Sequence, residues 1–257
     1  MPTDALLEVR QLSKTYGSGD RRVHALQAVS FTIAARATVA IVGSSGSGKS
    51  TLARCIARRE EPGAGTVLFE GRDITSLTGT DLRHWRRSVQ LLSQDPGMSL
   101  NPRFRAAGAV AEPLRIQRLG TRVQQRAAAL KLMSAVGLPE GSADRLPGLF
   151  SGGERARLAL ARALAAAPRL LILDESLSAL DLATRTAMIG LLRDLQLRRM
   201  LTYLVITHDL GLAAEIAGDI LVMDGGRIVE TGPAREIVGH PRHPQTKSLL
   251  AAIPGNR

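Results

Sequence analysis

The chain is poor in cysteine and in aromatic side chains. A single cysteine, Cys55, stands among 257 residues. That excludes an intrachain disulfide, a cysteine-ligated iron–sulfur cluster and a multi-cysteine zinc site within this chain, and it fits a reducing cytosol. Tryptophan, tyrosine and phenylalanine together make up 3% of the residues, too few rings for a protein that stacks single-stranded bases. No apolar run reaches the ~20 residues of a transmembrane helix. The amino-terminal MPTDALLEVR carries an acidic residue and no long apolar region, unlike a secretory signal. No G-x-G-x-x-G turn with a following ribose-binding acid is visible, which argues against a dinucleotide oxidoreductase. No repeat of solenoid or propeller length is apparent.

What is there begins with charge and core. The formal net charge is +11 and 44% of residues are hydrophobic, so a sizeable core is possible. Such a charge suits nucleic acid, an anionic membrane surface or phosphate ligands. The arginines are spread along the chain rather than gathered in one tail, as on a generally solvated basic surface. Short aliphatic runs recur at 38–43, 66–69, 89–93, 170–174, 203–207, 220–223 and 227–230. Several are continuous, as expected of strands buried on both faces. Helical patterns at 49–59, 122–136, 152–166 and 181–197 lie between them. The alternation predicts an α/β domain with a mostly parallel sheet. Residues 95–165 differ: no clear strand, several arginines and alanines, and helices joined by Pro and Gly turns. They read as a helical insertion into the α/β core. The tail at 240–254 reads as proline-extended and then a short helix.

Residues 43–50, GSSGSGKS, match the phosphate-loop pattern. Gly43, Gly46 and Gly48, with Ser44, Ser45 and Ser47 between them, let the backbone wrap a polyphosphate with its N–H groups. Lys49 is placed to neutralise the terminal phosphates and Ser50 to ligate Mg²⁺. The apolar VAIV precedes the loop, and a helix opening at Thr51 follows it. A second element, LLILDES at 170–176, puts Asp174 at the end of a buried strand and Glu175 next to it. Asp174 suits Mg²⁺, directly or through water, and Glu175 suits the orientation or deprotonation of an attacking water. Together these elements indicate nucleotide hydrolysis.

The stretch LFSGGERARLALARAL at 149–164 opens a helix with a serine and two glycines. Ser151 and Glu154 make a capping box, an apolar stripe of Leu158, Leu160, Ala161 and Leu164 follows, and Pro168 ends the helix. Glycine costs helix free energy, so Gly152 and Gly153 need a reason. Two readings stand at this level: a well-capped amphipathic helix, and an anion site that glycines open to close approach.

The motifs in this order resemble those of the ATP-binding subunits of ABC transporters, over nearly the whole chain. The resemblance implies a P-loop ABC ATPase core with an N-terminal antiparallel β region and a helical subdomain. It places the core at about 1–94 and 166–240, the helical subdomain at 95–165 and an importer-type tail at 240–257. FSGGE is similar to the family signature LSGGQ, which completes the nucleotide site of a facing subunit. Ser151, Gly152, Gly153 and Glu154 would then approach the γ-phosphate of an ATP held by another chain, with two ATP molecules between head-to-tail subunits. Tyr16 looks like the aromatic that stacks on adenine, and Thr51 joins the loop's contact set. Gln94 looks like the glutamine that senses Mg²⁺ and the attacking water. Asp181, in SALD, looks like the loop residue that crosses the dimer interface, and His208 like the histidine at the γ-phosphate. ATP and Mg²⁺ are the implied cofactors.

Subfamily marks point further. QDPGMSLNP at 94–102 resembles the corresponding segment of peptide and nickel importers. The tail HPRHPQTKSLLAAIP resembles theirs, with Gln245 replacing the usual tyrosine. The implied partners are transmembrane permease subunits, a second ATPase chain and, indirectly, a solute-binding protein, at the cytoplasmic face of the inner membrane. Nucleic acid is not an expected partner. Two further readings stay open: the ATPase of a soluble enzyme complex such as carbon–phosphorus lyase, and a non-transport ABC protein on nucleic acid. The signature departs from the family pattern at Phe150, a conservative change, and at Glu154, which adds negative charge where a γ-phosphate would sit. That change leans toward a heterodimer.

Overall fold

The computed structural model describes residues 5–253. The first four residues of MPTDALLEVR, and the tail from Pro254 onward, lie outside the described residues. In chain order the strands are β1 (Ala5–Tyr16), β2 (Val23–Ala34), β3 (Thr38–Val42), β4 (Ala64–Phe69), β5 (Arg72–Asp73), β6 (Val89–Leu92), β7 (Leu170–Asp174), β8 (Thr202–Thr207), β9 (Asp219–Asp224) and β10 (Arg227–Pro233). The helices are α1 (Lys49–Ile56), α2 (Gly79–Ser88), α3 (Ala106–Ile116), α4 (Arg122–Ala135), α5 (Gly152–Ala165), α6 (Leu182–Arg199), α7 (Leu210–Ile216), α8 (Ala234–Gly239) and α9 (Pro244–Ala251). The chain forms two compact units, Met1–Arg86 with Met200–Arg257, and Arg87–Arg199.

In the first unit β2, β1, β4 and β5 form an antiparallel sheet. Neither β1 nor β2 stands out among the aliphatic runs of the sequence. The reason is local. Register shifts interrupt their pairing, and Gln11 (φ 48°) and Ala28 (φ 53°) adopt left-handed backbone in it. Each irregularity breaks the two-residue period by which a half-buried strand is recognised. A second set of strands is built on β3, which pairs parallel with β8 on one side and β9 on the other. β10 closes this set antiparallel to β9. β8 is buried along its whole length and β3 along most of it, which is why both read as unbroken apolar runs. α1 buries Leu52, Ala53, Cys55 and Ile56. Burial pushes the Cys55 thiol up to about 11, so it behaves as a small apolar side chain. At the tail, Glu230 accepts hydrogen bonds from the backbone N–H groups of Arg242 and His243, both 2.9 Å, and from the Thr246 hydroxyl. That clamp seats α9, whose first residue is Pro244.

In the second unit α3, α4 and α5 pack on one another, and β6 pairs parallel with β7. α5 buries Leu158, Leu160 and Leu164, each at most 2% exposed, along with five alanines. Each leucine stabilises the unit by about 1.5–3 kcal/mol. The apolar stripe thus widens to most of the helix. Not every proline of 95–165 makes a turn: Pro113 lies inside α3 and is buried. The packed face holds the helix together across the missing N–H. α4 begins with a reciprocal capping box between Thr121 and Gln124.

Candidate functional site

In the first unit the site grows from strand register. Val42 of β3 pairs with Thr207 of β8 and with Val222 of β9. The next residues are Gly43, His208 and Met223, so the phosphate loop and His208 leave the carboxyl ends of adjacent parallel strands side by side. That is where ligands bind in parallel α/β sheets. A Cβ on Gly43 would stand 2.2 Å from the Met223 carbonyl oxygen and 2.7 Å from Ser47 Oγ. At Gly48 the backbone has φ +101°, and a Cβ would meet the Ala25 carbonyl oxygen at 2.2 Å. Both glycines are therefore required by the chain's own backbone. Gly46 has φ +81° but open space around it. The tip formed by Ser44, Ser45 and Gly46 is exposed, while Ser47 and Lys49 beneath it are buried.

Lys49 Nζ donates to the carbonyl oxygens of Gly43 and Ser44, both at 2.8 Å, and approaches Ser47 Oγ at 3.5 Å. These acceptors compensate a buried ammonium. A narrow loop cleared of side chains, a buried cation under an exposed tip and a following helix N terminus are a donor set that fits a polyphosphate. Tyr16, at the end of β1, is 37% exposed. Its phenol senses Glu60 and Thr51, the third residue of α1. Burial first, and then the Glu60 contact, raise the phenol above its ordinary value. The Lys14 ammonium lies 5.4 Å from the ring centroid. The first unit thus gathers Tyr16, the loop and His208. Glu60 is a contact the sequence offered no signal for.

In the second unit Leu92 of β6 pairs with Leu173 of β7. Gln94 and Glu175 each follow two residues after this last pair. Asp174 is buried and Glu175 half-buried. Glu175 adopts φ 55°, a left-handed conformation that costs a non-glycine residue of order 1–3 kcal/mol and clusters at functional sites. Its Oε2 accepts from Ser178 Oγ at 2.9 Å. Arg185 on α6 donates to the carbonyl oxygens of Ser178 (3.3 Å) and Leu180 (3.2 Å), fastening the SALD loop from behind. Asp181 accepts from Thr184 N at 2.9 Å and Thr184 Oγ1 at 2.7 Å. These hydrogen bonds lower its carboxyl and cap the start of α6.

The signature has the capping box its spacing predicts. Ser151 Oγ accepts from Glu154 N at 3.2 Å, and Glu154 Oε2 accepts from Ser151 N at 2.8 Å. The bond from the Ser151 backbone is the main reason the Glu154 carboxyl is lowered. The two glycines separate. A Cβ on Gly152 would meet nothing within 4 Å, whereas one on Gly153 would meet Thr184 Cγ2 at 2.6 Å. Gly153 is therefore closed by a residue of the same chain, and its bareness links the signature to the residue that Asp181 holds. Phe150 is buried beneath the Arg145 guanidinium, 4.5 Å from its ring. Arg155 donates to the Phe150 carbonyl oxygen at 2.9 Å. A Cβ on Gly97 would stand 3.4 Å from the Arg155 side chain, so this arginine ties the signature to the segment after Gln94. Sequence reasoning did not single out Arg155, Arg185 or Thr184, because the arginines act through backbone oxygens and Thr184 through contacts with Gly153 and Asp181 that only the fold brings together.

The glycine contrast has a measurable consequence. Gly152→Ala raises thermal stability by a few tenths to about 1 kcal/mol through helix propensity. Gly153→Ala lowers it by about 1 kcal/mol, because β-branched Thr184 cannot turn aside without losing its bond to Asp181. Thr184→Ser removes the clashing methyl and keeps the hydroxyl, so in that background the alanine at 153 ceases to destabilise. Thermal denaturation of the double-mutant cycle checks the sign change.

A phosphate-loop motif at the carboxyl end of a parallel strand set, with an acidic pair ending a second buried strand, defines a nucleoside triphosphatase of the P-loop class. A family model described as ABC transporter matches residues 26–178, more than half of the chain. A putative peptide import ATP-binding protein of Brucella ovis is 40% identical over 254 residues, covering 99% of this chain and 80% of the relative. A dipeptide transport ATP-binding protein of Lactococcus lactis is 40% identical over 253 residues, covering 97% and 81%. Among solved structures, the dimeric post-hydrolysis state of the ATP-binding cassette MJ0796, bound to ADP and Pi, superposes with TM-score 0.81 at 30% identity, covering 89% of this chain and 99% of that one. CbiO1 of Clostridium perfringens, part of the transporter complex CbiONQ, gives TM-score 0.83 at 26% identity, covering 92% of each. The chain belongs to the ABC transporter family, as one of its ATP-hydrolysing cassettes.

Proposed function

We propose that the chain is the ATPase subunit of a peptide importer. The observation that carries this reading is the 40% identity, over nearly its whole length, to peptide and dipeptide import proteins; it favours peptides over nickel as the solute. Two cassettes pair head to tail and dock on transmembrane permease chains, to which a separate solute-binding protein delivers peptide. No helix among the described residues is long and apolar enough to cross a membrane, which accords with a peripheral subunit at the cytoplasmic face. Residues 1–94 and 166–240 act as the catalytic core, 95–165 as the helical subdomain and 240–257 as the importer-type tail.

The residue roles follow from position and chemistry. Tyr16 stacks on adenine. The loop from Gly43 to Thr51 holds the phosphates through backbone N–H groups, with Lys49 as the neutralising cation. Among the described residues no group of three or more acidic, histidine or cysteine side chains suits a metal ion. The hard oxygen donors Ser50, Asp174 and Gln94, shared with phosphate oxygens, are the set that suits Mg²⁺, which supplies charge neutralisation when bound. Glu175 takes the proton of the attacking water, while Gln94 and His208 fix the γ-phosphate side. Ser151, Gly152, Gly153, Glu154 and Asp181 act on the nucleotide of the facing subunit, where the open space at Gly152 supports close approach. ATP binding closes the pair and hydrolysis reopens it, so the permease is moved by differential binding.

Glu154→Gln tests the charge at the signature. A glutamine oxygen still accepts from Ser151 N, so the cap is retained while the negative charge is lost. ATP-driven dimerisation tightens in the variant, read by gel filtration. No gain in dimerisation or in partner-site turnover removes the charge from the account. The function itself is tested by tagging the chain in its native cell and extracting membranes in mild detergent with ATP and Mg²⁺. Multi-span chains and a second ATPase co-purify if the reading holds. Recovery of soluble enzyme subunits alone, or of nucleic acid, overturns it.

A further inference from the structure

Between Glu112 and Glu140 the sequence contains no acidic residue, yet it carries Arg115, Arg118, Arg122, Arg126 and Lys131. The structure folds this stretch into the corner between α3 and α4. Arg118 adopts φ 55°, Leu119 N donates to the Leu114 carbonyl oxygen at 2.9 Å, and Gln125 Nε2 donates to the carbonyl oxygens of Leu119 (3.0 Å) and Gly120 (3.1 Å). Buried Gln125 thus holds the corner in one shape. Arg115, Arg122 and Arg126 line a single cavity of about 290 Å³ against the small residues Ala107, Gly108 and Ala111. Asp144 balances Arg126 at 3.0 Å. Arg118 and Arg122 have no ion-pair partner among the described residues. Two aliphatic side chains flank the arginines in the open: Ile116 is 71% exposed and Val123 81%.

We propose that this corner is a contact for an anionic phospholipid surface. A cavity of this size lined by Arg115, which also donates to the Gly108 carbonyl oxygen at 3.1 Å, by Arg122 and by the Asp144-paired Arg126 has the size and charge for a lipid phosphodiester, and arginine is the side chain best matched to phosphate. Ile116 and Val123 gain nothing from a nucleic-acid backbone, but they gain on entering the headgroup–acyl boundary. Basic residues beside exposed aliphatics, on a locally rigid helical corner, are the pattern of interfacial binding. The inference needs no permease and no nucleotide, so it is separable from the transport reading.

The test is flotation of the purified full chain with vesicles of phosphatidylcholine, alone or with about a quarter phosphatidylglycerol. The wild type binds the anionic vesicles and not the neutral ones, and added salt weakens binding. Replacing Arg115, Arg118 and Arg122 with glutamine lowers the affinity by roughly fivefold per residue, on the order of a hundredfold for three. Replacing the same three with lysine keeps most of the binding, which separates charge from folding. Ile116→Ser with Val123→Ser lowers binding while leaving charge unchanged. The control removes Arg198, Arg199 and Arg235 as glutamines, an equal loss of charge elsewhere. An equal fall in that control overturns the proposal, because net charge alone then explains binding. Equal binding to neutral vesicles overturns it too, as does binding only when a permease is present in the vesicles.

Discussion

Glu175→Gln binds ATP and fails to turn it over. The variant is close to isosteric, a glutamine oxygen still accepts from Ser178 Oγ, and the side chain keeps the left-handed backbone at position 175. What it loses is the ability to take a proton. Removing a general base costs roughly 10²–10⁴-fold in rate, and ATP binding has no need of that base. The expected result is a loss of phosphate release of that size, with the nucleotide-bound pair accumulating on gel filtration in ATP. Turnover near the wild-type rate would remove Glu175 from the mechanism. A slow variant that stays monomeric in ATP would separate Glu175 from closure and leave its chemical role standing.

The second large effect is at Gly48. Alanine there carries two penalties. The backbone stands at φ +101°, far from where an L side chain rests, and the new Cβ meets the Ala25 carbonyl oxygen at 2.2 Å. That oxygen belongs to β2, so no side chain can yield; a strand or the loop must move. Gly48→Ala is expected to cost about 3 kcal/mol or more and to abolish ATP binding, since the displaced loop is the phosphate cradle. Gly46→Ala is the control. It too has positive φ, but a Cβ would lie in open space, so its cost is about 1 kcal/mol. Thermal melting with and without ATP reads both. Equal stability losses in the two variants would mean that the Ala25 contact contributes nothing.

Much of this was legible in the chain because the informative residues are contiguous. The loop at 43–50 is one run of eight residues, and the strand before it and the helix after it stand where its pattern predicts. The capping box of α5 is equally local and has the predicted partners. β7 and β8 were visible because burial on both faces demands unbroken aliphatic runs. The helical reading of 152–166 was a residue too long. Ala167 turns left-handed at φ 52° before Pro168, and α5 has ended by then at Ala165. β1 and β2 were hidden because irregular register erases alternation.

The order of motifs and the family were determined by the sequence alone, since each is carried by neighbours in the chain. Which residues stand together was decided by the tertiary structure. Gly43 and His208 follow the paired Val42 and Thr207, and Gln94 and Glu175 stand two residues beyond the paired Leu92 and Leu173. The tertiary structure also assigned Gly153 to Thr184, Arg185 to the SALD loop and three arginines to one cavity. The physical reason is the same in each case. Hydrogen bonds to backbone oxygens and contacts at van der Waals distance depend on where distant segments meet, and they leave no pattern in the order of residues.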